Sequence, residues 1–300
     1  MDFFYLSTLI ILFAFIASVH QHFIKKLSVK PKWIYRLHHA AFFAGAYIII
    51  QYYSASAFLF FVVIIASITK IYDMIRANYF PRSGEVSLLT DFSRDIWLVA
   101  LLFWAFRTFI IDYSPIPSGS MEPTLLTGDL IAVNKLAYQV KVPPFQKPLY
   151  RFNSPKVGDV VIFNPPYDPN SFYVKRVIAV GGDRVEYRNK QYFVNGIPYT
   201  QEDRELSYKH KYAPVIATLT ENTGAVSHKI QLDDRQFDEP LDITVANGHY
   251  FVSGDNRDFS KDSRYFGPIP EDSIVGKAQY VLIQFKLPLL LNFARTGSVT

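Results

Sequence analysis

Three stretches of the sequence carry side chains that could make and break a covalent bond. Ile116-Pro117-Ser118-Gly119-Ser120-Met121 presents two hydroxyls among turn-forming residues, and by itself it reads as an ordinary surface turn. Phe172 to Val180 is a β-rich run in which strand alternation puts Lys175 on the face of Tyr173, Val177 and Ala179, and Arg176 on the other. One of these two cations should point into apolar surroundings; the alternative is a half-exposed edge strand with both heads in water. Burial disfavours the charged form of a lysine, and a fall in pKa from about 10.4 to about 7.5 corresponds to roughly 4 kcal/mol. The neutral amine can then act as a general base. The third stretch, Ser253 to Arg264, is dense in hydrogen-bonding and charged groups directly after the apolar run Tyr250 to Val252. It reads either as a solvated turn with weak surface ion pairs or as the source of the hydrogen bonds that orient a base.

Other chemistries are poorly supplied. The chain has no cysteine, so a disulfide framework, a thiolate nucleophile and a thiolate zinc site are excluded. A Ser-His-Asp arrangement would draw on His210, His228 or His249. The first two lie in a polar stretch and the third opens a strand, which ranks that arrangement below Ser-Lys. The pairs His20/His22 and His38/His39 flank apolar runs without carboxylate partners and read as interfacial polar residues. No cofactor or metal is expected, and no phosphate-binding glycine loop is present.

The elements that must hold these residues fall into two parts. Of 300 residues, 50% are hydrophobic and 19% are charged, which is lean for one soluble globule. Residues 1–114 contain 2 of the 18 prolines and 2 of the 14 glycines, so turn formers are concentrated in the second part. The first part carries 10 Lys/Arg against 6 Asp/Glu, the second 21 against 20. Basic residues confined to short connectors between apolar runs suit membrane orientation rather than nucleic-acid binding. Four apolar segments are expected at 3–19, 40–53, 57–72 and 96–111, forming a membrane anchor over 1–114. The block from 40 to 72 is either two short spans, the favoured reading, or a re-entrant hairpin. Asp2 precedes the first segment and Lys25, Lys26, Lys30, Lys32 and Arg36 follow it, so its N-terminus should face outward. Arg76, Arg82 and Arg94 mark a second cytoplasmic connector, and the last segment then runs outward. Arg107 in that segment reads as snorkelling toward the interface near Asp112.

Residues 115–300 would then lie on the outer face, as an antiparallel β domain with strands at 130–134, 159–163, 172–180, 184–187, 191–194, 249–252 and 273–285. Gly181-Gly182-Asp183 and Asn195-Gly196 are turn signals. Residues 200–246 are more polar and less regular, which suggests an inserted subdomain. Ser120 is seven positions beyond Tyr113, so this serine should sit within roughly 25 Å of the membrane exit, and its substrate should be tethered there.

Taken together, the three stretches resemble the bacterial type I signal peptidase family of membrane-bound serine proteases. The resemblance runs from Arg107-Thr108-Phe109 through Ile116 to Leu125, then Gly158 to Phe163 with Tyr173 to Arg176, then Gly254 to Arg264. It implies Ser120 as nucleophile, Lys175 as general base, an acyl-enzyme, and an oxyanion hole from the Ser120 N–H and the Ser118 hydroxyl. It further implies that Ser260 hydrogen-bonds and orients Lys175, that Asp262 and Arg264 support the site as an ion pair, and that Gly254 and Asp255 shape the loop. Ile116, Met121, Leu125 and Val174 would wall the shallow pockets that accept small side chains. Its partners would be signal peptides of preproteins, membrane lipid and the translocation machinery, at the bacterial inner membrane, with monomer as the default state. Two further readings compete. An acyl-transferring penicillin-recognising protein would use Ser67-Ile68-Thr69-Lys70, and a membrane-anchored scaffold would keep the fold without activity.

Overall fold

The protein is described by a computed structural model that covers residues 63–64, 67–68, 70–72, 74–75, 97–99, 101–142, 147–168, 171–208, 215–286 and 290–299. The segments 3–19 and 40–53, and most of 57–72, lie outside the described residues, as do His20, His22, His38, His39 and His210. The chain divides into two compact units, 1–108 and 109–300. Within the first, among the described residues, no helix is long and apolar enough to cross a membrane. Helical residues there bring Ser67 to Trp97, whose Nε1 donates to the Ser67 hydroxyl at 2.8 Å.

The second unit is mainly antiparallel β. Strands β1 (Ile111–Pro115) and β2 (Asp129–Asn134) open the central sheet, and β3 (Gln139–Val142) and β4 (Lys147–Arg151) form a separate pair. Next come β5 (Val160–Phe163) and β6 (Tyr173–Val180). An excursion holds β7 (Arg184–Arg188), β8 (Gln191–Val194), β9 (Ile197–Pro198), β10 (Thr200–Tyr208), β11 (Val215–Asn222), β12 (Ser227–Asp233) and β13 (Leu241–Thr244). The chain returns through β14 (His249–Ser253), β15 (Ile269–Pro270), β16 (Ile274–Lys286), β17 (Leu290–Asn292) and β18 (Gly297–Ser298). The central sheet runs β1-β2-β16-β5-β6-β14-β15, with β17 and β18 also paired to β16.

Strand β5 shows why the sequence settles in the middle of this sheet. Val160 and Ile162 enter one core cluster with Ile116, Met121 and Leu125, while Val161 and Phe163 enter another with Val177 and Val252. All four side chains are buried. A run without polar alternation is what a strand covered on both faces requires.

Strands β6 and β14 are neighbours, with Ser253 opposite Arg176 and Phe251 opposite Ala179. Everything between them, residues 181–248, is therefore one excursion, beginning at the Gly181-Gly182 turn rather than at residue 200. Gly182 has φ of +97°, a conformation that glycine adopts without steric cost. Strands β7, β8, β9 and β13 form one small sheet and β10, β11 and β12 another. The polar stretch expected to be irregular is thus a three-stranded sheet, with Ala217, Leu219, Ile230 and Leu232 buried together. Most of its buried apolar residues share one face, with Ile216 on the other. In β12, exposed Ser227 and Lys229 alternate with buried His228 and Ile230.

Candidate active site

The segment that bears Ser120 leaves β1 and is pinned at once. Ile116 N–H donates to the Asp129 carbonyl at 2.8 Å, and Gly128 N–H donates to the Ile116 carbonyl at 2.9 Å. The Asp129 carboxylate accepts from Leu126 N–H and from the Arg295 guanidinium, so the loop beneath the serine is tied at both ends. Ile116, Met121 and Leu125 face the core, which leaves Ser118 exposed and Ser120 partly exposed.

Lys175 approaches this turn from the centre of β6. Its Nζ lies 2.6 Å from Ser120 Oγ, donating to the hydroxyl, and donates to the Val174 carbonyl at 3.1 Å. The side chain is 3% exposed. Burial lowers its pKa to about 8, against the opposing pull of the Asp262 and Asp255 carboxylates. A large fraction of the amine is therefore neutral in mildly alkaline solution, and in that state it can accept the proton of the hydroxyl it touches.

The choice posed by Lys175 and Arg176 has a different outcome from either reading. Both cations are buried, Arg176 at 0% exposure. Its Nε and Nη2 grip the two Asp255 oxygens at 2.9 and 2.8 Å, and Nη1 donates to the Gly158 carbonyl at 2.9 Å. Burial works against the Asp255 charge, but the guanidinium beside it holds the carboxyl below its ordinary range. Thr124 Oγ1 donates to the same carboxylate. Asp255 thus joins β6, the turn after the serine and the polar loop.

Gly254 permits that loop its close approach. A Cβ there would stand 2.4 Å from the Ser120 carbonyl oxygen and 2.3 Å from Ser260 Oγ. Asp262 accepts from Gly254 N–H at 2.9 Å and pairs with Arg264 at 2.8 Å. Burial opposes its charge, and Arg264 and the Gly254 N–H keep its carboxyl below the ordinary range. Ser260 departs from expectation. It is 5% exposed and no hydrogen bond links its Oγ to Lys175; the hydroxyl lies against the Asp262 carboxylate, whose charge it helps to hold. The hydroxyl is also packed on Gly254.

These residues border a cleft of about 360 Å³. Ile116, Ser118, Ser120, Met121, Val174 and Lys175 line it. Leu125, fully buried in the cluster behind them, backs the wall without reaching the cleft. Asn256, which sequence reasoning passed over, also lines it and bonds the serine turn from the far side. A second omission is the buried pair Glu221–Arg257, which ties β11 to the loop. A charged pair divided between an insertion and a distant loop leaves no local spacing to notice.

Among the described residues the competing constellations do not form. His228 is buried near Glu221 and Asp255, and burial lowers its pKa to about 4. His249 Nδ1 lies 3.2 Å from the Asn247 carbonyl, and neither histidine bonds Ser120. Among the described residues, no group of three or more His, Asp or Glu is placed to hold a metal. The Ser67 hydroxyl donates to the Val63 carbonyl, and Lys70 Nζ sits 3.7 Å from the Trp97 ring centroid rather than on Ser67.

The family model described as "Signal peptidase, peptidase S26" matches residues 89–283. Signal peptidase I of Pseudomonas fluorescens is 36% identical over 228 residues, covering 71% of this chain and 80% of that protein. Signal peptidase I of Pseudomonas aeruginosa is 33% identical with the same coverage of both chains, 71% and 80%. A crystal structure of a signal peptidase I from Enterococcus faecalis is 30% identical and covers 42% of this chain and 97% of that one, with a TM-score of 0.28.

Proposed function

The chain belongs to the peptidase S26 family of signal peptidases, and from that membership and the geometry of the cleft we propose that it removes N-terminal signal peptides from exported preproteins. The observation that carries the mechanism is the 2.6 Å contact between a buried amine and a hydroxyl. Ser120 Oγ attacks the scissile carbonyl carbon as neutral Lys175 takes its proton. The resulting lysine cation returns a proton to the departing amine, which leaves an acyl-enzyme on Ser120. Lys175 then takes a proton from water as the water oxygen attacks the acyl carbon, and returns it to Ser120 Oγ as the ester bond breaks. The Ser120 N–H and the Ser118 hydroxyl are the donors assigned to the oxyanion, where losing one such donor typically costs about 2.7 to 4 kcal/mol.

Ile116, Met121 and Val174 form the apolar wall, with Leu125 behind them, suited to the small side chains that precede a signal cleavage site. Asp262–Arg264 and Arg176–Asp255 hold the loop that borders the cleft. The apolar segments at 3–19, 40–53, 57–72 and 96–111 serve as a multi-pass anchor, with basic connectors inside and the β unit on the periplasmic face. A substrate held by its own apolar leader in the same bilayer, as it emerges from the translocation machinery, meets the cleft at high effective concentration.

Purified full-length protein, incubated with a preprotein and analysed by mass spectrometry, tests the reading. A single cut after the small-residue motif is expected, and Ser120→Ala and Lys175→Met should each abolish it. Turnover by either variant near the level of the unaltered enzyme would refute the dyad.

A further inference from the structure

Asn256 holds two successive carbonyls of the serine turn. Its Nδ2 donates to the Gly119 carbonyl at 3.0 Å, and its backbone N–H donates to the Ser120 carbonyl at 3.1 Å. The Gly119–Ser120 peptide is trans, so the Gly119 C=O and the Ser120 N–H are opposite edges of one rigid plate. Fixing one edge aims the other. We infer that Asn256 is a positioning residue for the oxyanion hole, acting through the Gly119 carbonyl to set the direction of the Ser120 N–H; this rests on the reading of Ser120 as nucleophile.

Three further observations support it. The Gly119 carbonyl also accepts from Glu122 N–H at 3.1 Å, so the plate is held from within its own turn and, by Asn256, from outside it. Asn256 is itself 8% exposed and anchored behind. The preceding carbonyl, of Asp255, accepts from Gln231 N–H at 2.8 Å, and Asn256 bridges Gln231 in β12. The next residue, Arg257, is paired with Glu221 of β11 and donates through Nε to the Gly254 carbonyl at 3.1 Å. The clamp therefore runs from the inserted sheet, through the loop, to the peptide plane at the nucleophile. An oxyanion donor is effective because it is aimed before charge develops, and a plate held only from its own turn would lose that aim.

The test uses the full-length protein with Asn256→Ala and Asn256→Asp. The aspartate keeps the size and the backbone bond, removes the donor, and decides the case should alanine lower the folded yield. Assays run with a preprotein-derived peptide, with active sites counted from the acyl-enzyme burst so that misfolded molecules drop out. The expected result is a fall in kcat per active site of about 10- to 100-fold, with KM within about twofold and, in the alanine variant, which adds no charge, the acid limb of the pH profile unmoved. Affinity for a peptide boronate, which mimics the tetrahedral state, should fall by a similar factor. A kcat per active site within twofold of the unaltered enzyme in both variants overturns the inference, as does, in the alanine variant, a loss that tracks a shifted acid limb. Ser120→Ala run in parallel separates the two failures. If it still turns over, the nucleophile assignment has failed; if it is dead while both Asn256 variants are normal, only the clamp is wrong.

Discussion

Lys175 and Arg176 are adjacent on β6, and the two faces of that strand treat a buried cation in opposite ways. On one face, Arg176 meets a carboxylate at both ends of its fork and a backbone carbonyl besides. On the other, Lys175 meets a hydroxyl and a carbonyl, and among the described residues no carboxylate oxygen lies within ion-pair distance of it. Burial is nearly equal, 0% against 3% exposure, so burial alone does not make a base. What differs is neutralisation. Arg176 acts as a cross-brace, whereas the desolvated amine of Lys175 is left to shed its proton.

The largest effect that could break this comparison comes from putting the wrong cation on the reactive face. A guanidinium stays protonated throughout the accessible pH range and has no acceptor. Lys175→Arg should therefore lose about 10² to 10⁴ in kcat/KM, read from preprotein cleavage, the contribution typical of general-base assistance. Retention of activity within tenfold would mean that charge at this position, rather than proton uptake, drives the reaction.

The bracing face is tested by removing its anion. Asp255→Asn leaves Arg176 buried beside a neutral amide, and breaking a buried pair from one side costs about 3 to 5 kcal/mol. For a unit of this size that is a fall in Tm on the order of 10 °C, visible by calorimetry. Replacing both partners with apolar residues of matching volume should cost less than the single change. Equal losses would show that Asp255 contributes through Thr124 and the loop more than through the arginine.

How much of this contrast was legible beforehand depends on distance along the chain. Alternation in β6 separated the two cations, and the continuous apolar run of β5 announced a strand covered on both faces. Asn195-Gly196 marked its turn, at φ of +53° and +79°. The turn at Asn189 and Lys190, with φ of +50° and +59°, carried no glycine to signal it. Local periodicity could not show that Arg176 would be buried too, because its partner Asp255 stands 79 residues away. For the same reason Asn256 passed unnoticed, since its role exists only where the loop meets the serine turn. The three-stranded part of the insertion looked irregular because most of its residues are polar and its few buried apolar ones lie mainly on one face. Ser260 shows the limit of resemblance, for its position agrees with the family pattern while its hydroxyl makes no bond to the amine.

A smaller effect follows from the stability that the reactive face withholds. The native Lys175 pKa is about 8 against an ordinary 10.5, so between those values the unfolded chain binds more protons than the folded one. Stability then rises with pH across that window; the penalty is fully present below about 8 and is gone above about 10.5. The shift corresponds to about 3 kcal/mol. Lys175→Met, free of the penalty, should be more stable than the unaltered protein by that order at pH 7 and lose the advantage by pH 10.5. Denaturant unfolding of both proteins at the two pH values checks this, the difference between them cancelling whatever else titrates. An advantage independent of pH would indicate better packing of methionine rather than relief of a buried charge.

The finest adjustment lies in the charges around the amine. Asp262 is the strongest influence that raises the Lys175 pKa against burial, and Arg264 lowers it. Neutralising the carboxylate should move the acid limb of kcat/KM to lower pH, and neutralising the arginine should move it to higher pH. Asp262→Asn and Arg264→Gln each break the same 2.8 Å ion pair, so both should lose stability and some plateau activity, and neither loss distinguishes them. The limb does. If the pair only held the loop in place, the two variants would shift it in the same direction or not at all. Opposite displacements would show that the loop sets the charge of Lys175 as well as its position, leaving the reactive face tuned by carboxylates that approach without neutralising it.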